Sequence, residues 1–225
     1  MLRTVSFLLL FAAAQQLCAQ SAKNFSTARP EEVGFSEVRL ARIDHLLDEH
    51  VRTQRIPGAV ALIVRNGKVV YHKAFGYSDI EKKTALKKDD IFRIASQSKA
   101  ITSLAVMMLW EEGKFLLDEP VSKYIREFGN PKVIKTFNNS DSTFTTEPAL
   151  REITIRHLLT HSSGIDYAVI GSPEFKAIYA KAGIPSGIGN DRDVLADKIK
   201  LLGGMPLKHQ PGESWTYGLN TDVLG

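Results

Sequence analysis

Cysteine is almost absent from this chain, which carries a single one, Cys18, among 225 residues. That thiol lies within the first 19 residues, which have the pattern of a cleavable segment, so the mature chain has no cysteine to form a disulfide. A small domain held together by disulfides is therefore excluded. The hydrophobic share of 44% is ordinary for a globular protein, and the fold must depend on a hydrophobic core.

The apolar run near the N-terminus is too short to span a membrane as a helix. Arg3 precedes an apolar stretch from Val5 to Ala14, and residues 17–19 (Leu-Cys-Ala) offer a cleavage point. This pattern predicts a secretory signal peptide at residues 1–19. A lipoprotein signal would carry a small residue where Leu17 stands, so we do not expect lipidation. We expect a periplasmic or secreted protein with no stable membrane insertion after cleavage.

Clusters of basic residues and ligand-spaced histidines are also lacking. The formal net charge is +4, and the basic residues are scattered along the chain, which argues against a nucleic-acid partner. Four histidines have no spacing typical of metal ligands: His50, His72, His157 and His209. We therefore expect no metal and no cofactor.

Residues 20–115 have the pattern of an α+β domain. Ser36 to Gln54 predicts an amphipathic helix capped by Ser36. The apolar stretches Ala59–Val64 and Lys68–Phe75 are joined by Asn66-Gly67, a strong hairpin signal. A charged connection leads to a further helix, so we expect an antiparallel sheet with helices packed on it.

Residues 116–225 predict a mainly helical domain inserted after that helix. Asp118-Glu119-Pro120 predicts a short helix that runs through Tyr124 and Ile125. A polar loop is predicted within residues 130–150. Three more helices are predicted. The first is capped by Thr154, the second starts at Ser172-Pro173, and the third runs from Asp191 to Leu202.

The segment that organises this pattern holds Ser96 and Lys99 in an S-x-x-K spacing. The mostly apolar residues that follow, to Trp110, predict one buried helix ended by Gly113. Residues i and i+3 share a helix face, so the lysine amine would lie beside the serine hydroxyl and could accept or relay its proton. A lone match of this kind more often marks a helix cap followed by a solvated lysine, and the surrounding sequence must decide.

Several stretches together resemble the serine β-lactamase-like superfamily of class C type, which includes class C β-lactamases, D-Ala-D-Ala peptidases and β-lactamase-like carboxylesterases. The matching stretches span most of the mature chain: Ile56–Ala59, Phe92–Lys99, Leu117–Val121, Ile153–Gly164 and Pro211–Tyr217. The resemblance implies a β-lactamase/transpeptidase-like fold in which Ser96 is the acylated nucleophile and Lys99 its proton partner. Tyr217 matches the tyrosine of the second family motif, which deprotonates the serine. His161 lies in the Thr-His-Ser-Ser-Gly turn, which resembles a structural corner of the family, so we assign it no catalytic role.

Two departures from the family pattern bear on substrate and length. The second motif is often Tyr-x-Asn, but here Leu219 takes the third place and Asn220 comes one residue late. That change favours the esterase-like branch. The third motif, on a later strand, is absent, so we expect the chain to be part of a longer protein with its C-terminal strands missing.

The sequence thus predicts a hydrolase acting on a small ester, amide or peptidoglycan-type substrate, with the esterase reading preferred. A D-Ala-D-Ala carboxypeptidase or a β-lactamase is the alternative. A penicillin-binding sensor that is acylated without turnover is a third possibility, which we favour less.

Overall fold

The computed structural model describes residues 25–185 and 192–225. Contacts divide the chain into two units, one up to Phe92 and one from Arg93 to Gly225. This division differs from the boundary at 115/116 drawn from the sequence, because the segment around Ser96 makes its contacts with later residues; the domain limits stay a prediction. The predicted signal peptide and Asp191 lie outside the described residues. Within the described ranges no helix is both long and apolar enough to cross a membrane.

The first unit is a small sheet with one long helix. Its elements are β1 (Ser26–Thr27), α1 (Glu37–Arg52), β2 (Gly58–Arg65), β3 (Lys68–Asp79) and β4 (Thr84–Ala85). Strand β3 lies between β1, which is parallel to it, and β2, which is antiparallel, and β4 pairs with its far end. The predicted hairpin is confirmed: Asn66 and Gly67 have φ of 51° and 69°, as a type I′ turn requires.

Helix α1 begins and packs as its sequence predicts. The Ser36 side chain accepts a hydrogen bond from the backbone N–H of Arg39, which caps the helix. Leu40 is buried with Tyr71 and Phe75 of β3. The Tyr71 hydroxyl also donates to Asp44 Oδ1 over 2.5 Å, so the helix is held to the sheet by apolar and polar contacts together.

The second unit is mainly helical but contains a hairpin. Its elements are α2 (Ser98–Glu111), β5 (Lys132–Phe137), β6 (Phe144–Pro148), α3 (Ile155–Leu159), α4 (Pro173–Ala182), α5 (Leu195–Gly203) and α6 (Asn220–Leu224). Its buried core joins all but α2 and β6; its most deeply buried side chains include Ile153, Leu158, Ile165, Phe175 and Tyr179.

Two features of this unit differ from the sequence prediction. Strands β5 and β6 pair antiparallel and were not predicted, whereas the predicted polar loop at residues 138–142 is present and connects them. The partner strand, Phe144–Pro148, is threonine-rich and mostly exposed, so it lacks an apolar pattern of its own. The predicted helix after Pro120 is a single 3-10 turn, Val121–Lys123.

Helix α2 is not buried on all sides, which corrects a further prediction. Val106 is its one buried residue. Large apolar side chains along it are exposed by 42–62%: Ile101, Leu104, Met108, Leu109 and Trp110. Helix α6 packs against α2.

The tightest backbone contact of the first unit generates a stability prediction. Gly76 has φ of 73°, and a Cβ there would lie 2.4 Å from the carbonyl oxygen of Pro57. Gly67 has a similar φ of 69°, but a Cβ there would meet nothing within 4 Å. Gly67→Ala therefore isolates the backbone strain, about 1–2 kcal/mol. Gly76→Ala adds a steric clash, about 1–3 kcal/mol more. Urea unfolding of both variants measures the difference, and equal losses would contradict it.

Candidate active site

Ser96 lies in a short turn that opens helix α2. The turn is a 3-10 helix, Ala95–Gln97, followed directly by Ser98 as the first residue of α2. Ala95 has φ of 45°, a left-handed conformation that costs free energy in any residue other than glycine. The turn leaves Ser96 exposed near the N-terminal end of a 14-residue helix, where the helix dipole favours negative charge.

Lys99 follows three residues later, within the first turn of α2, and is half-buried. Its Nζ lies 5.2 Å from the centre of the Tyr217 ring and 5.8 Å from the centre of the Tyr167 ring. These are distances at which a cation is attracted by an aromatic face. The structure therefore places Lys99 beside the tyrosine that the sequence predicted, and beside a second tyrosine that it did not.

Tyr217 is positioned by a segment that lies against the corner after α3. The backbone N–H of Thr216 donates to the carbonyl of His161 over 2.8 Å, and the N–H of Leu219 donates to the carbonyl of Asp166 over 3.2 Å. Gly218 lies so close to this corner that a Cβ would be 2.0 Å from the Ile165 carbonyl oxygen. The two segments thus approach without a side chain between them, which fixes where the Tyr217 ring can point.

The Tyr217 hydroxyl donates a hydrogen bond to Ser96 Oγ over 2.8 Å. This contact joins residues 121 positions apart in the sequence and brings together all three predicted site residues. The hydrogen bond to Ser96 lowers the pKa of Tyr217 below its ordinary value of 10.0, and hydrogen bonding and charge from Lys99 lower it further. Once its own hydroxyl proton has been lost, Tyr217 is placed to take the proton of Ser96.

His161 supports Tyr217 without facing the serine as a base. Its ring stacks on the Tyr217 ring with centres 5.0 Å apart. Its Nδ1 accepts from Asn220 Nδ2 over 3.0 Å, so the proton of the neutral ring is on Nε2. Burial, and then the charge of Lys99, lowers the pKa of His161, which keeps the ring neutral near pH 7. These contacts agree with the structural role that the sequence indicated.

Asn220 is wholly buried and uses its amide inside the protein. Besides its bond to His161, its Oδ1 accepts from Ser163 Oγ over 2.5 Å, and Ser163 Oγ accepts from the N–H of Ile165. Leu219 is 3% exposed and belongs to the hydrophobic core. Neither residue therefore offers a side-chain amide to a substrate. The altered second motif serves the packing of the core instead.

A cavity of about 510 Å³ lies over the serine and contains residues that the sequence did not single out. Its lining includes Ser96, Lys99, Tyr167 and Asp222. Burial raises the pKa of the Asp222 carboxyl, and the charge of Lys99 opposes that effect. The sequence could have pointed to both residues only by their distance along the chain from recognised motifs. Tyr167 follows Gly164 by three residues, and Asp222 follows Tyr217 by five.

The described residues include no group of three or more histidine, cysteine, aspartate or glutamate side chains placed to hold a metal ion. His157 instead completes a helix cap, because its Nδ1 accepts from the N–H of Thr154 while the Thr154 hydroxyl accepts from the His157 N–H.

Comparison with known proteins identifies this architecture. A family model described as Beta-lactamase matches residues 43–225. Esterase EstB of Burkholderia gladioli is 36% identical over 185 residues, which are 82% of this chain and 43% of EstB.

Solved structures show the same fold. EstCE1, a hydrolase with promiscuous acyltransferase activity, superposes with a TM-score of 0.69 at 32% identity, over 82% of this chain and 45% of EstCE1. Unliganded simvastatin synthase (LovD) from Aspergillus terreus gives 0.66 at 27% identity, over 83% and 45% respectively. The α+β, β-lactamase-like fold predicted from the sequence is confirmed, and the chain spans less than half the length of these relatives.

The buried amide network predicts a stability cost at Asn220. Asn220→Ala leaves the Ser163 hydroxyl without its acceptor and His161 Nδ1 with only the longer bond from the Gly218 N–H, so we expect a loss of about 2–4 kcal/mol in the free energy of unfolding. Asn139→Ala, in the exposed loop between β5 and β6, is the control, with a change of no more than about 0.5 kcal/mol. Urea unfolding measures both, and similar values would show that the network adds no stability.

Proposed function

This chain belongs to the beta-lactamase family, and we propose that the whole protein is a serine hydrolase that cleaves an ester or amide through an acyl-enzyme on Ser96. The observation that carries the proposal is the 2.8 Å hydrogen bond between Tyr217 and Ser96. Lys99 lies about one helical turn after Ser96, with its Nζ beside the Tyr217 ring. Covalent catalysis needs a nucleophile within hydrogen-bonding distance of its base, and a third group that orients the base and stabilises its charged form.

The proposed reaction has two halves. In its deprotonated form, Tyr217 takes the proton of Ser96 while Oγ attacks the substrate carbonyl, and the same proton then passes to the departing alcohol or amine. A water molecule next attacks the acyl-enzyme while Tyr217 accepts its proton; that proton passes to Ser96 Oγ as the bond to the acyl group breaks and the carboxylic acid leaves. Lys99 stabilises Tyr217 by its positive charge whenever the tyrosine is a phenolate.

The pKa of Tyr217 sets the expected pH dependence. A base whose pKa is lowered from 10.0 is deprotonated in a larger fraction of molecules at a given pH. Acylation should therefore rise with pH through that lowered pKa, and level off at a lower pH than an unperturbed tyrosine would allow.

The second motif favours an ester as the substrate. An asparagine in the third place of that motif would be available to bind the amide of a β-lactam, by the family resemblance. Here Leu219 is buried in the core, and the side-chain amide of Asn220 is hydrogen-bonded to His161 and Ser163. The similarity to EstB and EstCE1 supports the same preference. We place this activity in the periplasm or outside the cell, on the strength of the signal-peptide pattern, with a small-molecule ester as the partner.

Covalent labelling tests the nucleophile. We expect a fluorophosphonate probe to label the whole protein, expressed from its complete reading frame, and Ser96→Ala to abolish that label, because among the described residues Ser96 is the serine hydrogen-bonded to Tyr217. Ser98→Ala is the control: it lies in the same cavity wall but should keep the label. Undiminished labelling of Ser96→Ala would refute the assignment.

Substrate choice tests the esterase preference. We expect the whole protein to hydrolyse p-nitrophenyl acetate with a higher kcat/KM than a cephalosporin. A preference for the cephalosporin would favour the β-lactamase alternative, and a D-Ala-D-Ala peptide as best substrate would favour the carboxypeptidase. Stable labelling with no turnover of any of the three would favour the sensor.

A further inference from the structure

Two tyrosine rings lie beside the ammonium of Lys99. In the described part of the chain, no carboxylate oxygen lies within 4 Å of its Nζ in a salt bridge. Its nearest ring partners are Tyr217 at 5.2 Å and Tyr167 at 5.8 Å. The two rings are parallel within 3°, with centres 5.8 Å apart, so the cation and the two ring centres form a nearly equilateral triangle.

We propose that Tyr167 is a positioning residue, whose ring face holds the Lys99 ammonium beside the Tyr217 hydroxyl. The inference rests on the function proposed above, and it deepens it, because it assigns a task to a residue outside the Ser96–Lys99–Tyr217 set. Tyr167 acts through Lys99.

The surroundings of Tyr167 hold its ring in place. The residue is 3% exposed and belongs to the core of the second unit. Its backbone N–H donates to Asp166 Oδ1 over 2.8 Å. Asp166 is itself buried, and its Oδ2 accepts from Lys208 Nζ and from the N–H of Ser172, each over 3.1 Å. This carboxylate fastens the loop that carries Tyr167, so the ring cannot move away from Lys99 without breaking buried polar contacts.

The ring, and not the hydroxyl, is the part of Tyr167 that matters. The Tyr167 hydroxyl makes no hydrogen bond to another described side chain, whereas its π-face lies within the 6 Å range of a cation–π contact. Such a contact strengthens when the cation is partly removed from water, as Lys99 is.

Holding Lys99 has a consequence at Tyr217. The charge of Lys99 contributes to the lowered pKa of Tyr217, so a less confined lysine would leave the phenol harder to deprotonate. Other groups facing this site are Asp222 from α6 and Arg93 from the turn before α2, with His161 from the corner after α3. All three stay unchanged when only position 167 is altered.

The test is a series of phenylalanines at position 167 that have nearly the same shape but a progressively weaker π-face. Tyr167→Phe, followed by its 4-fluoro, 3,4-difluoro and 3,4,5-trifluoro analogues, is introduced into the whole protein. The rate of fluorophosphonate labelling at Ser96 is measured against pH, and the melting temperature checks folding. The same fluorination at Phe175, a buried core ring that does not line the cavity, is the matched control.

We expect Tyr167→Phe to label within about threefold of the wild type, and the trifluoro analogue to be roughly tenfold slower than Tyr167→Phe. We also expect the rise of the rate with pH to move to higher pH along the series, and the Phe175 series to show neither change. Equal rates across the position-167 series would overturn the inference, as would the same decline in the Phe175 series. A wild-type protein that takes no label at Ser96 would instead overturn the proposed function, and this inference with it.

Discussion

The close contact between the corner at residues 161–166 and the segment at 216–219 is the constraint on which the site depends. Backbone hydrogen bonds join the two stretches, and Gly218 has no room for a side chain against Ile165. This contact fixes the backbone on both sides of Tyr217, and from there its hydroxyl reaches Ser96. The chemistry of the site is therefore decided by backbone packing inside the second unit before any side chain is considered.

The same contact divides the polar groups into two sets. The first set forms hydrogen bonds within the protein: the Asn220 amide bonds to Ser163 and to the Nδ1 of His161, behind Tyr217. The other set faces the cavity, with Ser96 and Lys99 in its lining. The division leaves the Nδ1 of His161 bonded to Asn220 although its ring stacks on Tyr217, and it keeps the Asn220 amide away from the cavity.

Sequence patterns predicted the elements whose signals are local. The Asn66-Gly67 turn and the Ser36 cap are each specified by residues that contact their own neighbours. The prediction failed where the partner decides the outcome. Phe144–Pro148 becomes a strand because Lys132–Phe137 lies beside it, and α2 carries exposed apolar side chains that its composition alone would bury. Propensity describes a segment, whereas pairing and burial are properties of two segments in contact.

The sequence by itself determined the family and the α+β class, and it predicted Ser96, Lys99 and Tyr217 as site residues, because motif spacing and resemblance reside in the linear order of the chain. The tertiary structure alone decided that Tyr217 donates to Ser96 across 121 positions, and that Tyr167 lies beside Lys99. It also decided that Asn220 points into the core. Those facts depend on distances between segments remote in sequence, and such distances are set by the packing of the core.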